Sequence, residues 1–193
     1  MDKKIILASA SPRRKEIMQN LGLKFDVITS SAEEKISGNL PPHMIVQELA
    51  MIKGTDVAAK TEDSLVISAD TIVWQNGKML GKPRDGQNAK EMLEMLSGNV
   101  HEVYTGVCVT DSGSGKSVSD YEITKVYFRK LSDNEIGRYV ATGEPLDKAG
   151  AYGIQGKACL FVEKIEGDYL NVVGLPAGVL AKILREEFKF NIM

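Results

Sequence analysis

Cysteine and histidine, the residues from which soft metal sites and disulfide frameworks are built, are nearly missing from this chain of 193 residues: it has two of each. Cys108 and Cys159 lie far apart with no CxxC spacing, each in an apolar, strand-like run, so both are expected to be reduced core residues. His43 and His101 are too few for a zinc centre of the Cys/His kind. Neither has a nucleophile elbow to serve, which leaves a serine hydrolase without support. No apolar run approaches the ~20 residues of a membrane span. The start, Met1-Asp2-Lys3-Lys4-Ile5, has too short an apolar part for a signal peptide. An excess of one charge is also lacking: the net charge is −2, which argues against a wide nucleic-acid footprint and confines any anion site to a local cluster. Aromatic residues make up 6% and form no array interleaved with basic ones, as single-strand binding would require. The expectation is a cytoplasmic protein without a membrane or a nucleic-acid polymer as partner.

What is present is ordinary for a globular chain, 43% hydrophobic and 26% charged residues, enough for one domain or two lobes around a shared sheet. Residues 5–8 read as a buried strand. A helix follows Pro12, with Ser11 as its N-cap, Ile17, Met18 and Leu21 on one face and a stop at Gly22. A second strand, 25–29, leads to a polar connection holding Glu33 and Glu34. Pro41-Pro42 opens a helix to about Lys60, with Val46, Leu49, Ala50 and Val57 on one face. Residues 65–69 form a strand with Asp70 at its carboxyl end, and Asn76-Gly77 marks a hairpin. A helix with Ala89, Met92, Leu93 and Leu96 inward precedes two long strands, 100–110 and one reaching Phe128, joined by the turn 111–116. Ser132-Asp133-Asn134-Glu135 is a capping box for a helix ending near Gly143. The stretch 144–156, with three glycines and a proline, is a shaped loop. Residues 159–165 and 169–173 read as a hairpin around Gly167-Asp168, and a terminal helix after Pro176 packs Val179, Leu180, Ile183 and Leu184. Early alternation of helix and strand with hairpins in the middle predicts an α/β fold on a mixed sheet.

The chemistry concentrates in a few places. Ser9-Ala10-Ser11-Pro12-Arg13-Arg14 runs from a strand into a helix start, whose free N–H groups and dipole favour an anion. Two arginines there oppose the dipole unless a polyanion neutralises them; the alternative is an exposed basic turn. Lys53 lies on the apolar stripe of its helix, either extending its ammonium to water or entering a cleft to meet an anion. Asp70, beside Ser68 and Thr71, stands where α/β sheets open a crevice; it is an Asx turn, a metal ligand or a general base. Glu33 and Glu34 are metal ligands or a solvated patch. Lys82 and Arg84 are phosphate contacts or surface charge. Gly115-Lys116-Ser117 resembles the end of a P-loop, but the first glycine would fall at Thr110 and the segment is a hairpin turn. Cations at 13, 14, 53 and 82 with carboxylates at 70 and 33 suit phosphoryl chemistry, in which an ion and cations neutralise charge while a carboxylate orients water.

Four ordered motifs carry a resemblance that spans nearly the whole chain. Ser9-Ala10-Ser11-Pro12-Arg13-Arg14, Ala69-Asp70-Thr71, Gly81-Lys82-Pro83-Arg84-Asp85 and Leu146-Asp147-Lys148-Ala149-Gly150-Ala151-Tyr152-Gly153-Ile154-Gln155-Gly156 resemble the Maf family of nucleoside triphosphate pyrophosphatases, as does Val172-Val173-Gly174-Leu175-Pro176. The resemblance implies an ITPase-like fold over residues 1–193, with a long mixed sheet flanked by helices and an active-site cleft between two lobes. It implies hydrolysis of a nucleoside triphosphate to the monophosphate and pyrophosphate with a divalent cation, Mg²⁺ or Mn²⁺. By similarity Asp70 is the catalytic proton acceptor, and Arg13, Thr71 and Gln155 match the positions tied to substrate choice. The Ala-Tyr-Gly-Ile-Gln form of the late loop resembles the subgroup acting on dTTP and UTP. A side-chain amide such as Gln155 offers a donor and an acceptor to the O4/N3–H edge of thymine or uracil. Ser9, Arg13, Arg14, Lys53 and Lys82 are the expected phosphate contacts, and Asp70 with Glu33 the expected metal ligands. The competing readings are a nucleotide-responsive regulator of septum formation and the same chemistry on another base such as 7-methyl-GTP. A homodimer is left open.

Overall fold

The computed structural model describes residues 3–36, 38 and 40–193. Among these residues seven strands form one sheet: β1 (Lys4–Leu7), β2 (Phe25–Val27), β3 (Ser64–Gln75), β4 (Lys78–Leu80), β5 (Val100–Asp111), β6 (Ser117–Phe128) and β7 (Val162–Glu166). Their order is β2-β1-β3-β5-β6-β7, with β4 paired to β3. β1 runs parallel to both β2 and β3, whereas β4 on β3 and β7 on β6 are antiparallel, so the sheet is mixed as expected. Among the described residues six α-helices accompany it: α1 (Pro12–Asn20), α2 (Pro42–Ala58), α3 (Gly86–Leu96), α4 (Asp133–Val140), α5 (Tyr169–Val173) and α6 (Ala177–Phe188). None is long and apolar enough to cross a membrane among the described residues.

Contacts divide the chain into two units, residues 1–70, 105–122 and 174–193 in one and 71–104 and 123–173 in the other. In the first, Ile6 of β1, Ala8 just past it and Val66 of β3 bury Val57 and Ala58 of α2. In the second, Ala89, Leu93 and Leu96 of α3 and Ile136 and Tyr139 of α4 pack with Val103, Val126 and Phe128. Buried aromatic rings meet edge to face in that core, Phe128 with Tyr152 at 4.8 Å and Tyr139 with Phe161 at 5.1 Å, the arrangement that ring quadrupoles favour.

Several expected boundaries shift, each for a physical reason. The second half of the late hairpin is a helix: α5 occupies 169–173, and the Asp168 carboxylate accepts from the Leu170 amide at 2.8 Å, as a helix start requires. Asn171, fully buried, donates to Val103 O and Thr124 Oγ1 at 3.0 Å each, a tertiary demand that overrides the strand propensity of the local sequence. Cys159 is not a core residue. It lies in a 3-10 turn (Lys157–Phe161) that turns Ala158 and Phe161 inward and leaves Cys159 exposed, while Cys108 in β5 is buried as expected. β3 does not stop at Ala69 but continues through Asp70 to Gln75, with burial easing from full to partial at Asp70.

Candidate active site

The strand order around β1 sets the position of the basic turn. β2 lies on one side of β1 and β3 on the other, all three parallel, so the chain leaving β1 departs at a topological switch point. Ala8 N still donates to Ile67 O at 2.8 Å, and the backbone then turns into α1. Ser11 caps the helix, its side chain accepting from the Arg14 amide at 3.5 Å, and Pro12 occupies the first turn. The buried Ser9 hydroxyl accepts from Ser11 N and from Arg14 Nη1, each at 3.2 Å. Arg14 Nε donates to Gly174 O at 2.7 Å. Gly174 has φ 121, a conformation that favours glycine, and so turns that carbonyl between α5 and α6. Arg14 therefore braces the turn from behind. Arg13, half-buried, makes no hydrogen bond or ion pair among the described residues, so its charge is left for a ligand.

A second group forms where α2 presses onto the sheet. Gly106 of β5 lets it approach: a Cβ there would sit 2.3 Å from Val46 O of α2. Gly54 of α2 likewise packs on Ser68, whose hydroxyl donates to Ala50 O at 2.6 Å. Ser68 and Asp70 are two residues apart in β3 and so point to the same face. Three residues along α2 from Ala50, Lys53 meets that face and its Nζ lies 2.6 Å from Asp70 Oδ1. Both side chains are mostly buried, 16% and 15% exposed. Glu34 reaches the same ammonium at 3.1 Å. Lys53 thus does meet an anion, one supplied by the protein. Burial pushes the Arg14 guanidinium down from its ordinary value, the Asp70 and Glu34 carboxylates oppose that shift, and the Arg13 charge adds to it. Arg13, Arg14, Glu34 and Asp70 are therefore electrostatic neighbours.

Glu33 is placed differently from its neighbour. It pairs with Lys35 at 2.9 Å, with both side chains largely exposed, so the acid that the structure brings to Lys53 and Asp70 is Glu34. The connection 28–36 has no regular structure, and no spacing rule distinguishes two adjacent acids there. Among the described residues no three His, Cys, Asp or Glu side chains stand together as a complete metal site. Two carboxylates sharing one ammonium nevertheless fit a hard divalent cation of the kind that takes one or two carboxylates and completes its shell with phosphate oxygens and water.

The remaining candidates lie in the second unit. Thr71 follows Asp70 in β3 and is half-buried. Lys82 is exposed and unpaired among the described residues, in a loop joined to the glycine-rich stretch by Gly150 N donating to Gly81 O at 3.1 Å. Gln155 is exposed, and its amide has no partner among the described residues.

Known proteins resemble this chain in sequence along nearly its whole length. The dTTP/UTP pyrophosphatase of Alkaliphilus metalliredigens (strain QYMF) is 53% identical over 192 residues, covering 99% of this chain and all of that protein. The dTTP/UTP pyrophosphatase of Alkaliphilus oremlandii (strain OhILAs) is 55% identical over 192 residues, again 99% of this chain and all of the other. Among solved structures, a HAM1 protein from Coxiella burnetii is 15% identical with a TM-score of 0.49, covering 83% of this chain and 92% of that one. The family model described as Maf-like protein matches residues 4–187, from β1 into the last turn of α6 and across every motif singled out above. With that match and relatives above 50% identity over nearly the whole length, the chain belongs to the Maf family.

Proposed function

We propose that the protein hydrolyses dTTP and UTP to the monophosphate and pyrophosphate, by attack of water on the α-phosphorus. The observation that carries the chemistry is the Asp70–Lys53–Glu34 group beside the Ser9–Arg14 turn. The Asp70 carboxylate accepts the proton of the attacking water, and Lys53 holds that carboxylate in place. The new bond joins the water oxygen to the α-phosphorus; the bond from that phosphorus to the bridging oxygen breaks, and its electrons leave with pyrophosphate. Arg13 and Lys82 take the phosphates, while Ser9 and Arg14 shape the turn that presents its amides to them. With Glu33 drawn to Lys35, the second metal-binding carboxylate is assigned to Glu34, alongside Asp70. Asp70 and Glu34 would hold a Mg²⁺ or Mn²⁺ ion, which would supply neutralisation of phosphate charge and Lewis-acid polarisation. Arg13, Thr71 and Gln155 are assigned to substrate choice. The names of the two Alkaliphilus relatives support dTTP and UTP.

Following product release from dTTP, UTP, CTP, GTP and 7-methyl-GTP with Mg²⁺ or Mn²⁺ tests this reading. Pyrophosphate from dTTP and UTP is expected, abolished by a chelator. Orthophosphate as product would replace the reaction, a purine preference would replace the base assignment, and binding without release would favour a nucleotide-responsive regulator.

A further inference from the structure

We propose that Glu144 is a positioning residue for base choice: its carboxylate fixes the turn that presents Gln155 while touching no nucleotide. The proposal rests on the pyrophosphatase reading and on the assignment of Gln155 to the base. After the short 3-10 segment Ala149–Ala151 the chain makes a turn closed by Gly156 N donating to Gly153 O at 3.0 Å, with Ile154 and Gln155 at its tip. A single backbone bond leaves such a tip free to rock, and nothing holds the Gln155 amide itself among the described residues.

Glu144 ties down both ends of that turn. Its Oε2 accepts from Lys157 N at 3.3 Å, just past the turn. Its Oε1 accepts from the Tyr139 hydroxyl at 3.0 Å, and that hydroxyl in turn accepts from Gly153 N at 3.4 Å, at the turn's start. Gly156 lies flat on the same carboxylate, so close that a Cβ would stand 2.0 Å from Oε1. Lys148 closes the other side, donating to Glu144 O at 2.7 Å while its stem covers Gly153, where a Cβ would meet Cε at 2.6 Å. Tyr139 is itself anchored in α4, 4% exposed and edge-on to Phe161. Burial first, and Glu144 second, push its phenol pKa up, so it remains a donor to the carboxylate at every working pH. The brace runs from a rigid helix through one carboxylate to the turn. A side chain at 156 would collide with that carboxylate, and one at 153 with the Lys148 stem.

The test compares kcat/KM for UTP and CTP, which differ at the 4-position, in Glu144→Gln, Tyr139→Phe, Gln155→Ala and the Glu144→Gln/Gln155→Ala double variant. Glu144→Gln keeps the volume but puts an N–H₂ against the donors it serves. It is expected to cut the UTP-over-CTP preference about tenfold, mostly through KM, because a recognition group displaced by ~1 Å loses its alignment. In the Gln155→Ala background it should have no further effect on that preference. A merely structural Glu144 would lower stability and kcat for both nucleotides alike and leave the ratio intact, which overturns the proposal. If Glu144→Gln does not fold, Tyr139→Phe carries the same prediction, and an unchanged ratio there overturns it as well. Should Gln155→Ala leave the preference intact, the base assignment fails and the positioning role with it. If Gln155→Ala abolishes the preference while Glu144→Gln and Tyr139→Phe keep it, the positioning role alone is wrong.

Discussion

Asp70 and Lys53 depend on each other in a way that neither shows alone. A lysine that is largely buried needs a counter-charge, and a carboxylate that is largely buried needs a donor; at 2.6 Å each supplies the other. Asp70→Asn keeps the shape but cannot accept a proton, so kcat should fall by about 10²–10⁴-fold with the circular dichroism spectrum unchanged. Lys53→Met keeps the packed stem and leaves Asp70 and Glu34 facing one another without a cation. It should also cost activity, about tenfold or more, and a Lys53→Met protein turning over at the normal rate would remove the lysine from the mechanism. Both residues were legible in the sequence, Asp70 from its place beside a buried strand and Lys53 from its place on an apolar stripe. Their pairing was not, because it depends on how deeply α2 sits on β3. Glu34 was legible only as one of two neighbouring acids: in an irregular connection, which of the two turns inward is decided by the Lys53 ammonium and not by local pattern.

At the scale of elements, α2 is the piece that assembles the site, and two glycines control its depth. Gly106 faces the α2 backbone, with no side chain that could swing aside to admit a methyl group. Gly106→Ala should therefore destabilise the protein at the upper end of overpacking costs, about 3 kcal/mol, seen as a lower denaturant midpoint at constant slope. The surviving folded fraction should also lose activity, since pushing α2 outward carries Lys53 away from Asp70. A Gly106→Ala protein of normal stability would show that the contact between α2 and β5 relaxes freely. Long elements such as α2, α3, β5 and β6 were readable in advance from their hydrophobic spacing, and α4 from the capping box of Ser132 and Glu135, which is formed in full. Of the expected hairpin, the strand through 162–165 is present as β7, whereas 159–161 and 169–173 were misread because short apolar runs have no decisive period, and the buried demands of Phe161 and Asn171 settled them.

The whole molecule carries a net charge of only −2, so its pH dependence is set by particular buried groups more than by general repulsion. His101 is the most consequential of these. It is 1% exposed in the core of the second unit, with Nε2 2.8 Å from the Tyr152 hydroxyl and its ring edge-on to Phe128. Its inward parity with Val103 in β5 was a signal available in the sequence, where the histidines were weighed only as metal ligands and as a hydrolase base. Burial pushes its pKa down to about 3, whereas in the unfolded chain it titrates near ~6.5. Above pH ~6.5 both states are neutral and His101 has no effect on the pH dependence. Below that value the unfolded chain takes up a proton that the native state refuses, so stability falls as pH falls, by up to about 1.4 kcal/mol per unit, until the native pKa is reached. Glu135, held down to about 2 first by the Arg129 hydrogen bond, and Asp56, held to about 2 first by Lys60, add acid sensitivity only once unfolded carboxylates begin to protonate. The interval from pH 6.5 to 5 therefore isolates the histidine. Urea unfolding followed through Trp74, the single tryptophan and a residue of the same unit, should show a loss approaching about 2 kcal/mol across that interval. His101→Gln, which can still hydrogen-bond Tyr152 but does not titrate, should flatten the dependence there and leave the steeper loss below pH ~4.5 in place. If it loses stability between pH 6.5 and 5 as steeply as the parent protein, the acid sensitivity belongs to another group.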